Sequence, residues 1–153
     1  MYRPIGVLSV ISLLAACGGS DSHQSVDFEP IDCPGVSSHS AYEDEVTEVF
    51  DTSHAFREWY LATNLNEQVT TPEVDFDQRQ VIAINTGFKP SLSYSVQISR
   101  IEDEGDHLMV HYVDTGPLSC AADAAISYPY CVVVIDKTAK AVRFEGEVVD
   151  GCD

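Results

Sequence analysis

Apolar positions follow a helical spacing in only one part of the chain. Phe56, Trp59 and Tyr60 recur at the spacing of three to four residues that is typical of one helix face. Thr52 stands where an N-capping residue would precede such a helix. The pattern predicts a helix over residues 53–63, with Trp59 packed in the core rather than serving as a ligand platform.

Beyond this helix the spacing shortens to the alternation that is typical of strands. Strands are predicted over residues 80–85, 94–101, 108–113, 130–136 and 141–149, and Gly105 provides a hairpin turn between the second and the third. The run from 130 to 136 is almost continuously β-branched, as in a strand buried on both faces. The sequence therefore predicts a mostly β domain, an antiparallel β-sandwich or open barrel with one short N-terminal helix packed on it.

The charge narrows the classes of partner. The chain carries 25 acidic against 8 basic side chains, a formal net charge of -17, and 44% hydrophobic residues. The apolar fraction is sufficient for a packed core, while the acidic excess repels phosphate backbones and anionic lipid headgroups. We therefore expect no nucleic-acid partner and no membrane attachment by charge. Between Pro4 and Phe56 there is no Lys or Arg, and this stretch is predicted to be a solvated, weakly structured acidic arm.

The N-terminus has the pattern of an export signal. Ile5 to Leu14 form an apolar run that is too short to span a membrane as a helix. The ending Leu14-Ala15-Ala16-Cys17 resembles a bacterial lipobox, which implies cleavage before Cys17, a diacylglyceryl thioether on its sulfur and a fatty acyl group such as palmitate on its amine. Gly18 after the cysteine implies sorting to the outer membrane, so we expect an outer-membrane lipoprotein facing the periplasm or the cell surface.

Three segments follow from this signal. We predict a signal peptide over residues 1–16, a lipidated cysteine with a flexible acidic tether over residues 17–31, and a single β domain over residues 32–153. The lipid anchor would be the only attachment to the membrane, because multiple acyl chains hold a protein without a basic patch.

Four cysteines remain once Cys17 is assigned to lipid, an even number in an oxidising compartment. They are Cys33, Cys120, Cys131 and Cys152. Three pairings of two disulfides are possible, and the sequence does not choose among them. The pairing that we favour joins Cys120 to Cys131 across a loop between strands, and Cys33 to Cys152 across the ends of the domain.

No catalytic or metal-binding motif stands out. His107 and His111 would share one face of a helix, but in a strand they lie about 13 Å apart, too far to share one ion. We therefore interpret them as histidines on the solvent face. The sequence contains no nucleophile elbow, phosphate loop or dinucleotide fingerprint, so we expect neither a cofactor nor an enzymatic activity.

One segment resembles a known family. The strand Val81 to Asn85, the turn Gly87-Phe88-Lys89-Pro90-Ser91 and the strand that begins at Tyr94 resemble the central stretch of the PrcB family, bacterial lipoproteins described as protease-complex subunits. Leu108-Met109-Val110 and Tyr128-Pro129-Tyr130-Cys131 are similar to later strands of that family, in the same order. The resemblance covers about residues 50 to 137.

The resemblance implies a non-catalytic accessory protein that stabilises or assembles another envelope protein such as a protease. It points to the loop residues Gly87, Lys89, Pro90, Ser91 and Tyr94 as the protein-binding site. The family has Thr-Gly-Gly where this chain has Ser91-Leu92-Ser93. Because Leu cannot adopt a positive φ cheaply, the loop is expected to follow a different course or to bear strain.

Two other interpretations of this loop remain open. The Lys89 to Tyr94 segment distantly resembles the inhibitory loop of the chagasin-type cysteine-protease inhibitors, which have an immunoglobulin-like sandwich. That resemblance implies a protease inhibitor. Alternatively the segment is simply a well-made turn, with Tyr94 packed on the sheet.

Overall fold

The computed structural model describes residues 23–117 and 125–151, which form two β-sheets and one helix. The strands are β1 (Gln24–Ser25), β2 (Glu29–Ser37), β3 (Val46–Phe50), β4 (Arg79–Asn85), β5 (Ser95–Asp103), β6 (His107–Thr115), β7 (Tyr128–Asp136) and β8 (Ala141–Val149), and helix α1 spans Ser53–Thr63. The prediction of a mostly β fold with one short N-terminal helix is confirmed.

The two sheets pack face to face as a sandwich. Sheet A has the strand order β1-β5-β6-β8, and sheet B has the order β2-β7-β4-β3. Neighbouring strands are antiparallel in both sheets except β6 and β8, which run parallel in an unbroken register of nine residue pairs. Gly105, in the β5–β6 turn, has a φ of +91°, which agrees with the hairpin predicted there.

Sheet B is covered on both faces, and this arrangement divides the core into two layers. Between the sheets lie apolar side chains from β4, β5, β6 and β7, including Ile82, Ile101 and Val133. The other face of sheet B packs against helix α1 through Phe56, Trp59 and Tyr60. Strands β4 and β7 are therefore buried on both faces, which explains their continuous apolar sequences and confirms the interpretation of residues 130–136.

Helix α1 has the predicted bounds and the predicted cap. The Thr52 hydroxyl accepts a hydrogen bond from the Ala55 N–H at 3.4 Å, which satisfies one of the free donors of the first turn. Trp59 is 4% exposed, and its ring lies 5.8 Å from that of Phe50. The prediction that Trp59 is a core residue is confirmed.

The acidic stretch before the helix is not the weakly structured arm that its charge suggested. It contains β1, β2 and β3, so the tether predicted over residues 17–31 overlaps the first two strands. Acidic side chains such as Glu48 occupy exposed positions of these strands, whereas Val49 and Phe50 pack against the two core layers. Apolar and polar positions alternate in this acidic stretch, and its many carboxylates made this strand pattern hard to recognise in the sequence.

The disulfide pairing that we favoured is wrong. Cys33 on β2 is bonded to Cys131 on the neighbouring strand β7, with a Cα–Cα distance of 4.3 Å. The strand register shifts between Pro30 and Asp32, and the register that pairs Asp32 with Val132 after this shift places Cys33 opposite Cys131 inside the sandwich. Because the bond closes a loop with a sequence separation of 98, it stabilises the fold by about 4 to 5 kcal/mol in the chain-entropy model.

Several predictions fall on residues that the structure does not describe. Cys17, Cys120 and Cys152 lie outside the described residues, as does the whole predicted signal peptide. In the part of the chain that is described, no helix has the length and hydropathy to span a bilayer.

Candidate partner-binding surface

The predicted binding residues lie in a loop that connects β4 to β5 at one end of the sandwich. We call residues 86–94 the Lys89 loop. The Lys89 N–H donates to the Ser127 carbonyl at 2.8 Å, and the Ser127 N–H donates to the Lys89 carbonyl at 3.0 Å. This pair of hydrogen bonds fixes the loop to the segment that leads into β7.

The side chain of Lys89 points into the structure and not toward a partner. Its ammonium lies 2.6 Å from Oδ2 of Asp114 on β6 and 5.5 Å from the centre of the Tyr94 ring. The Lys89 and Asp114 side chains are only 19% and 9% exposed. A charge pair this deeply buried is destabilising when one partner is removed, because the other is left unpaired. Lys89 and Tyr94 are therefore internal supports of the loop.

Gly87 is required by the backbone. Its φ is +73°, and a Cβ there would lie 2.5 Å from the carbonyl oxygen of Glu43. The Gly87 N–H donates to the Asn85 side chain at 2.8 Å, and the next N–H, of Phe88, donates to the Glu43 carbonyl at 3.0 Å. The loop thus packs directly on the backbone that precedes β3, an approach that only glycine permits.

The turn at Ser91 is supported from within. The Ser127 hydroxyl donates to the Ser91 carbonyl at 2.5 Å, and the Ser91 hydroxyl accepts from the Ser93 N–H at 3.1 Å. Leu92 does not adopt a positive φ; among the described residues other than glycine, only Asn66 does. Leu92 therefore bears no left-handed backbone strain, and the expectation of such strain is wrong.

The outward side of the loop is apolar. Phe88 is 44% exposed and Leu92 is 54% exposed, and Pro90 between them is also exposed. In the antiparallel bridge between Lys89 and Ser127, Phe88 lies opposite Tyr128 and Pro90 lies opposite Ile126, which is 52% exposed. The Phe88 and Tyr128 rings are 6.1 Å apart. We call Phe88, Pro90, Leu92 and Ile126 the loop-tip surface.

The structure therefore divides the predicted site residues into two groups. Gly87, Lys89, Ser91 and Tyr94 hold the loop, and only Pro90 of the predicted five belongs to the loop-tip surface. Phe88, Leu92 and Ile126 were not predicted as site residues. The apolar residues at every second position of this polar loop could have indicated the loop-tip surface. The contact between Lys89 and Asp114 could not be predicted, because it depends on the sheet topology.

Tyrosine–carboxylate hydrogen bonds support the structure around the loop. Tyr112 of β6 donates its hydroxyl to Glu45 at 2.6 Å, and Tyr128 donates to Glu43 at 3.4 Å. Burial, followed by the adjacent carboxylate, raises the pKa of both tyrosines above the usual value. These bonds hold the segment before β3, on which Gly87 packs.

A second tyrosine–carboxylate cluster ties the helix to sheet B. Oδ2 of Asp32 accepts hydrogen bonds from Tyr60 at 2.6 Å and from Tyr130 at 2.7 Å. Burial and then the Asp32 hydrogen bond raise the pKa of Tyr60 to about 12 and also raise the pKa of Tyr130. The sequence did not reveal this cluster, because its residues come from β2, α1 and β7.

The two histidines lie on one strand, β6, as predicted, but they are not free on a solvent face. His107 is 7% exposed, and its Nδ1 lies 2.6 Å from Asp106. His111 has Glu102 on one side and Glu145 on the other, both at 2.9 Å. These pairs join β6 to the β5–β6 turn and to strands β5 and β8, so the histidines have structural neighbours that strand spacing alone did not reveal.

Metal-ligating side chains do not gather in the part of the chain that the structure describes. The described residues contain no cluster of three or more His, Cys, Asp or Glu side chains that could hold a metal ion. A cleft of about 540 Å³ lies between the start of helix α1 and residues 71–76, and its lining includes Phe56, Phe76 and the exposed His54. His54 lies 3.4 Å from Glu58 one turn further along the helix, and both side chains are exposed.

Comparison with known protein families gives a match that covers the central strands. Residues 80–136 match the family described as PrcB C-terminal. The resemblance inferred from the sequence is therefore confirmed over this segment, which is a little more than a third of the chain. The matched segment contains β4 from its second residue, β5, β6, β7 and the whole Lys89 loop, together with Asp114 and Ile126. No curated protein and no solved structure is significantly similar to the chain.

Proposed function

We propose that this protein is a non-catalytic lipoprotein of the bacterial envelope that binds a partner protein and stabilises or assembles it. The partner class suggested by the PrcB resemblance is a protease complex. The observation that carries the proposal is the loop-tip surface, an exposed apolar surface on a loop that is fixed from within. An exposed apolar surface of this kind marks a site of protein interaction more often than a random feature of a soluble domain.

Rigidity of the loop supports binding through it. The Lys89–Asp114 pair, the Ser127 hydrogen bonds and the packing of Gly87 on Glu43 hold the backbone of the loop in one conformation. A surface that is already ordered loses little conformational freedom when a partner binds, so more of the apolar contact energy remains as affinity. The supporting contacts thus hold the loop-tip surface in the conformation that binds the partner.

Attachment to the membrane through Cys17 is the second part of the proposal. It rests on the lipobox-like ending at Cys17 and on the acidic charge, which leaves no basic surface for an anionic bilayer. We expect radiolabelled palmitate to be incorporated into the wild-type chain and not into the Cys17→Ala variant, and the wild-type chain to fractionate with the outer membrane. Label that persists in Cys17→Ala would contradict the anchor.

The partner-binding proposal is tested by photocrosslinking in living cells. A photoreactive amino acid is placed at Leu92 or at Ile126, and the matched control position is Leu61, an apolar residue of helix α1 that is 41% exposed. We expect one envelope protein to be crosslinked from Leu92 and Ile126 and not from Leu61, and the abundance of that protein to fall when this chain is deleted. The same products at all three positions, or none at the loop, would contradict the proposal.

The inhibitor alternative shares the loop but predicts a different measurement. The observation that favours an inhibitor is that the protein is a β-sandwich with the Lys89 loop exposed at one end. An inhibitor would reduce the activity of a papain-like protease in proportion to its concentration, and the loss would disappear on replacing Leu92. Dose-dependent inhibition without stabilisation of any envelope protein would favour it over the assembly role.

A further inference from the structure

In residues 23–117 and 125–151, four strands form the edges of the two sheets, and only one of these four edges is both long and regular. β1 has two residues and β3 has five. β2 has nine, but Pro30 and Pro34 lack an N–H and its register is twice interrupted. β8 also has nine, and among the described strands it pairs only with β6, without any shift of register. Natural sheets usually shorten, interrupt, charge or cover their edges, and β8 uses only charged side chains, so its backbone edge can pair with an added strand.

The free edge of β8 has a defined set of backbone groups. The Val149 carbonyl accepts from the Gly116 N–H at 3.0 Å, so Val149 directs its backbone groups toward β6. Direction alternates along a strand, so the even-numbered residues from Val142 to Val148 direct their N–H and C=O groups toward the open edge. An added strand would pair with these four residues.

The side chains of β8 are complementary to a second copy of β8 in the antiparallel direction. Pairing centred on Glu145 places Arg143 of each copy opposite Glu147 of the other, and joins even-numbered residues to even-numbered residues as the backbone requires. Arg143 and Glu147 are both exposed, and neither has an opposite charge within ion-pair distance among the described residues, although Arg143 also attracts the Asp106 carboxylate of its own chain from further away. Two symmetric ion pairs would form across this interface.

The apolar side chains fit the same register. Val142 and Phe144 face the sandwich core, and Val148 points to the same side of the sheet but is 80% exposed. Antiparallel pairing centred on Glu145 brings Val148 opposite Val142 of the other copy. Glu145 itself meets Glu145 at the centre, and each of these carboxylates is already held 2.9 Å from Nδ1 of His111 in its own chain.

We infer that two copies of this chain associate through antiparallel pairing of their β8 strands, which joins their A sheets into one continuous sheet. This inference goes beyond the proposed function, because it uses the sheet edge at β8 and none of the loop-tip residues. The occupant is assigned to a second copy because the charge order of β8, with Arg143 two residues before Glu145 and Glu147 two residues after it, complements itself when the strand is reversed.

A charge-swap experiment tests the inference. The mass of the purified full chain is measured by light scattering over a wide range of concentration, in the same mild detergent for every sample. We expect the wild-type chain to reach twice the monomer mass. Arg143→Glu and Glu147→Arg should each weaken association by about tenfold or more, because each places two like-charged pairs across the interface.

The decisive experiment is to mix the two single variants. An equimolar mixture of Arg143→Glu and Glu147→Arg chains pairs each Glu with an Arg again, so the mixture should recover the dimer mass that neither variant shows alone. Arg57→Glu, an equal charge change on the exposed face of helix α1, should behave as wild type. A wild-type chain that stays monomeric, single variants that dimerise like wild type, or a mixture that stays monomeric would each overturn the inference.

Discussion

The inward and outward side chains of the Lys89 loop differ in what they contact. Lys89, Ser91 and Gly87 contact Asp114, Ser127 and Glu43, so the inward side makes mainly polar contacts. Phe88, Leu92 and Ile126 stay roughly half exposed, so the outward side is apolar and meets solvent. This is the reverse of a simple surface turn, in which apolar groups turn inward. The contrast assigns the stability of the loop to its inward side chains and leaves the outward side chains for the binding that we propose.

The largest effect is expected from breaking the buried charge pair. Lys89→Met leaves the Asp114 carboxylate buried without its cation, and the free energy of unfolding should fall by about 3 to 5 kcal/mol. Urea denaturation with and without the substitution measures the change. In the double variant Lys89→Met with Asp114→Leu no unpaired charge remains, and most of the loss should be recovered. A single-variant loss below about 1 kcal/mol would show that the pair does not support the loop.

Gly87→Ala should have the next largest effect on the inward side. Its added Cβ is forced against the Glu43 carbonyl at a φ that alanine disfavours, which should cost about 1 to 3 kcal/mol. Gly105→Ala is the matched control, because it also has a positive φ but no atom lies near its Cβ position. Equal losses for the two variants would mean that backbone conformation, and not contact with Glu43, determines the cost.

Alkaline pH should weaken the tyrosine–carboxylate hydrogen bonds, both the one beside the Lys89 loop and those that tie helix α1 to sheet B. The pKa of Tyr60 is raised to about 12 in the folded chain from 10.0, and the pKa values of Tyr112 and Tyr130 are raised as well. Because the folded state holds these protons more tightly, their contribution to stability is complete below pH 10 and is lost as the pH rises through the folded values. Thermal unfolding from pH 9 upward measures the loss. Tyr60→Phe should flatten the decline, and an unchanged slope would contradict this assignment.

The smallest change in stability is expected on the outward side. Phe88→Ser removes an exposed ring whose main contact is Tyr128, so the free energy of unfolding should change by less than about 1 kcal/mol. Partner crosslinking from Leu92 should nevertheless decrease. A large loss of stability in Phe88→Ser would show that Phe88 belongs with the supports.

The sequence predicted those parts of the fold in which local spacing reflects burial. In helix α1 and in strands β4 to β8, apolar residues recur at the spacing that is typical of each element. Gly105 indicated the turn between β5 and β6. β2 and β3 were missed because acidic side chains on exposed strand positions resembled a solvated arm. The bond between Cys33 and Cys131 depends on strand order and on an irregular register, neither of which the spacing of cysteines contains.

The contacts of the candidate site residues were not predicted from the sequence. The motif located the Lys89 loop, and the structure shows that its most recognisable residues are supports. Lys89 needs Asp114, which is 25 residues further along the chain, and Ile126 joins the surface only through the bridge between Lys89 and Ser127. Contacts between residues so far apart follow from the sheet topology and not from local sequence.

The separation of support from binding is tested most directly by one paired measurement on the triple variant Phe88→Ser, Leu92→Ser, Ile126→Ser. The free energy of unfolding and the amount of partner recovered by chemical crosslinking in cells are measured on the same variant. The account predicts a free energy within about 1 kcal/mol of wild type and loss of the partner. A variant that folds with wild-type stability and recovers the partner undiminished would contradict it.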